Sequence, residues 1–124
     1  MGLLDAILGN ASESDIQETQ QELARILAAD ERVEKAYAII RDQIIFTNKR
    51  LILVDKQGMT GKKKEFLSVP YRSIDRFSME TTGHFDLDAE LKIWIRGQVE
   101  PISKNFRNDQ NIHDISRALA EYAL

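Results

Sequence analysis

The segment Gly58-Met59-Thr60-Gly61-Lys62-Lys63-Lys64 comes nearest to phosphate chemistry, because two glycines loosen the backbone and three lysines follow as cationic donors. A nucleotide-phosphate loop needs its glycines further apart and a Ser or Thr where Lys63 stands. A glycine clamp for nucleic acid needs a helix on each side, whereas strand-like runs flank this segment, so no nucleic-acid partner is expected. What remains is a glycine-bearing hairpin loop with a solvated basic strand start, for which any contact would be with anionic lipid headgroups or a neighbouring subunit. Asp86-Leu87-Asp88-Ala89-Glu90 opens like a calcium loop, but Leu91 occupies the glycine position and no helix flanks it. His84 and His113 do not stand at a metal-site spacing. Ser78, His84 and Asp86 lack the strained elbow and oxyanion loop of a nucleophilic triad. Cysteine is absent, which removes disulfide and thiolate chemistry. No catalytic residue, metal ligand or cofactor is expected, and the chain does not read as an enzyme.

The elements around these residues are strands framed by helices. Leu3, Leu4, Ile7 and Leu8 recur at helical spacing, so residues 2–8 are predicted as a short helix that Gly9-Asn10 stops. Ser14-Asp15-Ile16-Gln17 fits a capping box, and Ile16, Leu23, Ile26 and Leu27 line one face of a second helix as far as Ala29. After the polar joint Asp30–Glu34 the hydrophobic period falls to two. Strands are predicted at Val33–Arg41, Gln43–Thr47, Arg50–Lys56, Lys63–Val69, Asp75–Thr82, Ala89–Arg96 and Val99–Lys104. Thr47-Asn48-Lys49-Arg50 is a tight break between two β-branched runs, and Pro70 must end its strand or place it at a sheet edge. In Leu91-Lys92-Ile93-Trp94-Ile95-Arg96 the three aliphatic residues face one way and Trp94 the other. A last helix, capped by Asn108 or Asp109, carries Ile112, Ile115, Leu119 and Tyr122 as a stripe.

The chain has 124 residues, 43% apolar and 30% charged, as in a soluble globular domain, and no apolar run is long enough to span a membrane. Its net charge of -3 conceals a segmental pattern: residues 1–40 carry -5, residues 41–76 carry +5 and residues 77–124 carry -3. A basic middle on an acidic chain either meets anionic ligands or pairs with the acidic segments, within one chain or between copies. The N-terminus lacks a secretory n-region, and Ala6 stands where myristoylation requires Ser or Thr. A cytoplasmic protein, free or peripheral to the membrane, is expected.

Phe46-Thr47-Asn48-Lys49-Arg50-Leu51-Ile52, Asp55 with Gly58, Val69-Pro70-Tyr71 with Ile74, and the helix from Asp109 together resemble the bacterial pleckstrin-homology (PH)-like domain family. The resemblance covers roughly residues 30–124 and implies a mainly β (α+β) fold. That fold is a PH-like seven-stranded antiparallel, partly open barrel capped by a C-terminal helix. Residues 1–30 form an N-terminal helical hairpin extension and residues 31–124 the PH-like domain. The resemblance also implies ring-shaped homo-oligomers, a pentamer first among them, and no enzymatic activity. One departure matters: Arg41-Asp42-Gln43 is too short, and too weakly basic, to cradle an inositol phosphate as the long first loop of eukaryotic PH domains does.

The functional expectation is a non-enzymatic scaffold that binds itself. Its candidate interface or anion contacts are Lys49, Arg50, Lys62, Lys63, Lys64, Trp94 and the apolar face Leu3, Leu4, Ile7 and Leu8. The alternatives are a peripheral, anionic-lipid-binding module using the lysines and the N-terminal face, and a module that takes a partner peptide at a sheet edge.

Overall fold

A computed structural model describes residues 13–39, 42–60, 62–81, 88–106 and 111–124. The expected first helix, with Leu3, Leu4, Ile7 and Leu8, lies outside the described residues. In chain order the elements are α1 (Glu13–Glu22), β1 (Val33–Ile39), β2 (Asp42–Thr47), β3 (Arg50–Gln57) and β4 (Lys63–Pro70). A 3-10 turn at Tyr71–Ser73 follows, then β5 (Ile74–Thr81), β6 (Ala89–Ile95), β7 (Ile102–Phe106) and α2 (Ile112–Ala123). All seven expected strands are present. They form a four-stranded sheet ordered β1-β2-β3-β4 and a three-stranded sheet ordered β5-β6-β7, not a closed barrel. The chain divides into two compact units, residues 1–68 and 69–124.

In the first unit, Ile45 pairs with both Ala36 and Ile52 across antiparallel strands, so the three share a face. Leu23, Val33 and Val54 join them in one buried cluster, with Ile16 and Leu27 packed at its margin. The opposite face of β2 and β3 carries Ile44, Phe46, Leu51 and Leu53, which are also buried. Tyr37 meets Phe46 edge-on there, at 6.1 Å between ring centres. Burial on both faces explains why these strands read as unbroken apolar runs instead of alternating ones.

Helix α1 is shorter than its apolar spacing suggests. It includes Glu13 and so begins before the expected cap Ser14, and it ends at Glu22. Leu23 to Leu27 then continue as mixed turns, with Ala24 and Ile26 bonding back three residues and Leu27 four. Ile26, expected on the buried face, is therefore exposed.

In the second unit, Leu91 and Ile93 of β6 are wholly buried while Lys92 and Trp94 between and beyond them are half-exposed, the alternation expected. Helix α2 buries Ile112, Ile115, Ala118 and Leu119, and stacks Tyr122 on Tyr71 at 5.1 Å. The last strand corrects the sequence reading: it runs from Ile102 to Phe106, and Val99 is almost fully exposed in the preceding turn. Pro101 has no N–H for a ladder and a fixed φ, so pairing starts after it. Gly97 turns the chain there with φ +84°.

Two substitutions probe this framework by denaturant titration. Ile45→Ala should lower stability by about 2–5 kcal/mol, as truncation of a buried side chain does. Gly97→Ala should lose about 1 kcal/mol from backbone conformation alone, since an added Cβ there meets no neighbour.

Candidate interaction surface

The residues between the two apolar runs of β2 and β3 are tied to the chain segment that precedes β1. Thr47 accepts hydrogen bonds at Oγ1 from the backbone N–H groups of Lys49 (3.1 Å) and Arg50 (3.0 Å), closing the turn on itself. Asn48 accepts from the Arg32 N–H at 2.7 Å and donates to the Asp30 carbonyl at 3.1 Å, so its side chain mimics a strand partner. Lys49 forms an ion pair with Asp30 at 3.2 Å.

Beneath this turn lies a buried carboxylate that local sequence patterns did not single out. The side chain of Glu31 is 1% exposed. Arg50 donates to it through two nitrogens, Nε to Oε2 at 2.9 Å and Nη2 to Oε1 at 3.0 Å. Thr47 donates its hydroxyl at 2.6 Å and the Ala28 N–H donates at 2.9 Å. The same guanidinium reaches the Ile26 carbonyl and the Ser68 hydroxyl, both at 2.7 Å. One arginine thus joins the end of the helical segment, the β2–β3 hairpin and β4. Burial by itself would raise the Glu31 pKa; the hydrogen bonds from Arg50, Thr47 and Ala28, with the guanidinium charge, outweigh it and lower it from 4.5 to about 2.

The two expected outward contacts of the hairpin, Lys49 and Arg50, differ in their surroundings. Lys49 lies on the surface beside Asp30, while Arg50 is committed within the chain to Glu31, Ser68 and Ile26. Lys62, Lys63 and Lys64 are all exposed, and no described residue forms an ion pair with them. They lead into β4, the terminal strand of its sheet, which is exposed from Lys63 to Ser68. Phe66 is 44% and Leu67 38% exposed, and as consecutive residues they point to opposite faces. Two consecutive apolar residues break the alternation expected of a half-buried strand and give β4 apolar surface on both sides. Met59, at the loop tip before the lysines, is fully exposed. Trp94 is half-buried, with the Arg76 guanidinium of the neighbouring strand stacked over its ring at 4.4 Å.

Among the described residues there is no cluster of His, Cys, Asp or Glu able to hold a metal ion, and no helix long and apolar enough to cross a membrane. His113 is exposed on α2. Asp86 and His84 lie outside the described residues.

Two antiparallel sheets of four and three strands followed by a C-terminal helix are the elements of a PH-like fold. The chain belongs to the family described as Bacterial PH domain, whose profile matches residues 2–123. It is similar to the uncharacterized protein YjqA of Bacillus subtilis, at 59% identity over 121 residues covering 97% of each chain. It is also similar to the uncharacterized protein YozO of the same organism, at 32% identity over 82% of this chain and 87% of the relative. Among solved structures, the pleckstrin homology domain from Shewanella amazonensis superposes with a TM-score of 0.86 at 50% identity, over 99% of each chain. A pleckstrin-homology protein from Shewanella loihica superposes with a TM-score of 0.78 at 48% identity, over 94% of this chain and 99% of that one.

The Glu31–Arg50 pair gives two tests. Arg50→Ala leaves a buried carboxylate without its counter-charge and should destabilise the fold by on the order of 3 kcal/mol. Arg50→Lys should recover only part of this, because an ammonium cannot make the two-pronged contact. Because the folded-state pKa of Glu31 lies below its unfolded value, its contribution is complete above about pH 5 and is lost as pH falls towards 2. Denaturant titrations across that range should show Glu31→Gln less stable at neutral pH and lacking this part of the acid-dependent loss.

Proposed function

We propose that this chain is a non-enzymatic PH-like scaffold that works as a ring-shaped homo-oligomer, with five copies as the expected number. The observation that carries the reading is β4: a terminal strand exposed on both faces and bearing Phe66 and Leu67. Isolated proteins guard such edges, because unpaired backbone groups next to apolar side chains recruit other strands. Lysines at the start of the strand give some protection, yet they leave Phe66 and Leu67 uncovered. Part of the segmental charge pairs within the chain, through Arg50–Glu31 and Lys49–Asp30, and the exposed remainder, Lys62 to Lys64, suits attraction to an acidic face of an adjacent copy. Contacts between different faces close into rings when the rotation permits. The polar cluster around Glu31 does not support a site for chemistry, since its carboxylate is consumed by structural bonds.

The proposal predicts a defined multimeric mass by light scattering of the purified chain at low and at high salt. A monomeric mass under both conditions would overturn it.

A specific observation also favours a second reading, a peripheral contact with anionic membranes. Met59 projects fully into solvent three residues before Lys62, and the three lysines are exposed. An apolar tip beside exposed cations is a means of touching a charged bilayer surface. This reading predicts sedimentation with anionic but not neutral vesicles, weakened by salt.

A further inference from the structure

We infer that the β4 edge of one copy is occupied by β5 of the next, as an antiparallel extension joining a four-stranded to a three-stranded sheet. The inference rests on the ring reading above and names its interface. Both strands are terminal in their sheets, so each has one neighbour within its own sheet and one edge beyond it. Both are eight residues long, Lys63–Pro70 and Ile74–Thr81. The register of β5 is broken between Ile74 and Arg76, and antiparallel alignment of its regular part, Arg76–Thr81, with Lys63–Ser68 sets Lys63 opposite Thr81 and Ser68 opposite Arg76. Lys64 then stands opposite Glu80, and Leu67 opposite Phe77. Neither Lys64 nor Glu80 has an ion-pair partner among the described residues. Leu67 is 38% exposed and Phe77 half-exposed, so each carries apolar surface that the other would cover.

The other terminal strands fit less well. Strand β7 spans five residues whose one charge is Lys104, so it offers the β4 lysines no carboxylate. Strand β1 is seven residues long and buries Val33, Ala36, Tyr37 and Ile39, leaving little apolar surface to offer. Pro70 is tolerated at the end of β4 because the strand ends there and needs no further donor. Cross-strand pairs of opposite charge and of apolar side chains are what fix register between strands. A β4-to-β5 contact uses two different edges of the molecule, as a closed ring requires.

Light scattering on the full-length chain and four variants tests the pairing, with circular dichroism confirming that each variant is folded. Lys64→Glu and Glu80→Lys should each weaken assembly about tenfold or more in dissociation constant, and the double reversal should restore it. Leu67→Asp, which sets a carboxylate against Phe77, should give monomers. A wild-type assembly that all four variants leave unchanged would overturn the pairing while leaving the ring reading standing; a monomeric wild type would overturn both. Single reversals that disrupt assembly without rescue by the double variant would also overturn the pairing. Lys64→Glu that loses binding to anionic phosphatidylserine vesicles while keeping its mass would overturn it in favour of a membrane surface.

Discussion

Glu31 must remain ionised where water scarcely reaches it, and the order of the first unit follows from how that is achieved. A carboxylate in such a place survives only if its oxygens are filled with donors and a positive charge lies against it. Arg50, Thr47 and the Ala28 N–H meet that requirement together. Their bonds tie the end of the helical segment to the β2–β3 hairpin and reach Ser68 on β4. The apolar cluster of Leu23, Val33, Ala36, Ile45, Ile52 and Val54 supplies the bulk of the adhesion, but apolar contact is non-directional. The ion pair supplies the direction.

Strand β4 is paired with β3 along one side and, as the terminal strand of its sheet, is open along the other. Arg50 grips Ser68, while Lys63 to Leu67 are exposed. A strand so presented has its backbone set for pairing before any partner arrives, which reduces the entropy lost on association. Arg50, which ties the first unit together, also bonds Ser68 on the strand proposed for assembly. An interface built on such an edge needs no moving part, and its strength is set by salt and side-chain chemistry.

Much of the strand pattern was legible in the sequence because its causes are local. Asn48 in a four-residue break, Pro70 after an apolar strand, and the alternation at Leu91-Lys92-Ile93 each carry their physical reason within a few residues. Val99 was misplaced because its β-branched side chain suits a strand, while Pro101, two residues on, forbids the pairing that would use it. Glu31 could not be read from its neighbourhood: its partner lies nineteen residues away, and an acidic residue in a polar joint looks solvated. Arg50 was noticed for its charge but assigned outward for the same reason. Two consecutive apolar residues, Phe66 and Leu67, signal apolar surface on both faces of their strand, but only the strand order shows that this strand also has an open edge.

Amide hydrogen exchange along β4 tests the central claim most directly, because it reports on backbone pairing whatever holds the copies together. If β4 is paired on both edges in the assembled protein, alternate amides between Lys64 and Ser68 that point away from β3 should exchange slowly at high protein concentration and quickly in Leu67→Asp. If those amides exchange quickly in the intact assembly, the strand edge is open there, and the account of how this chain associates is wrong.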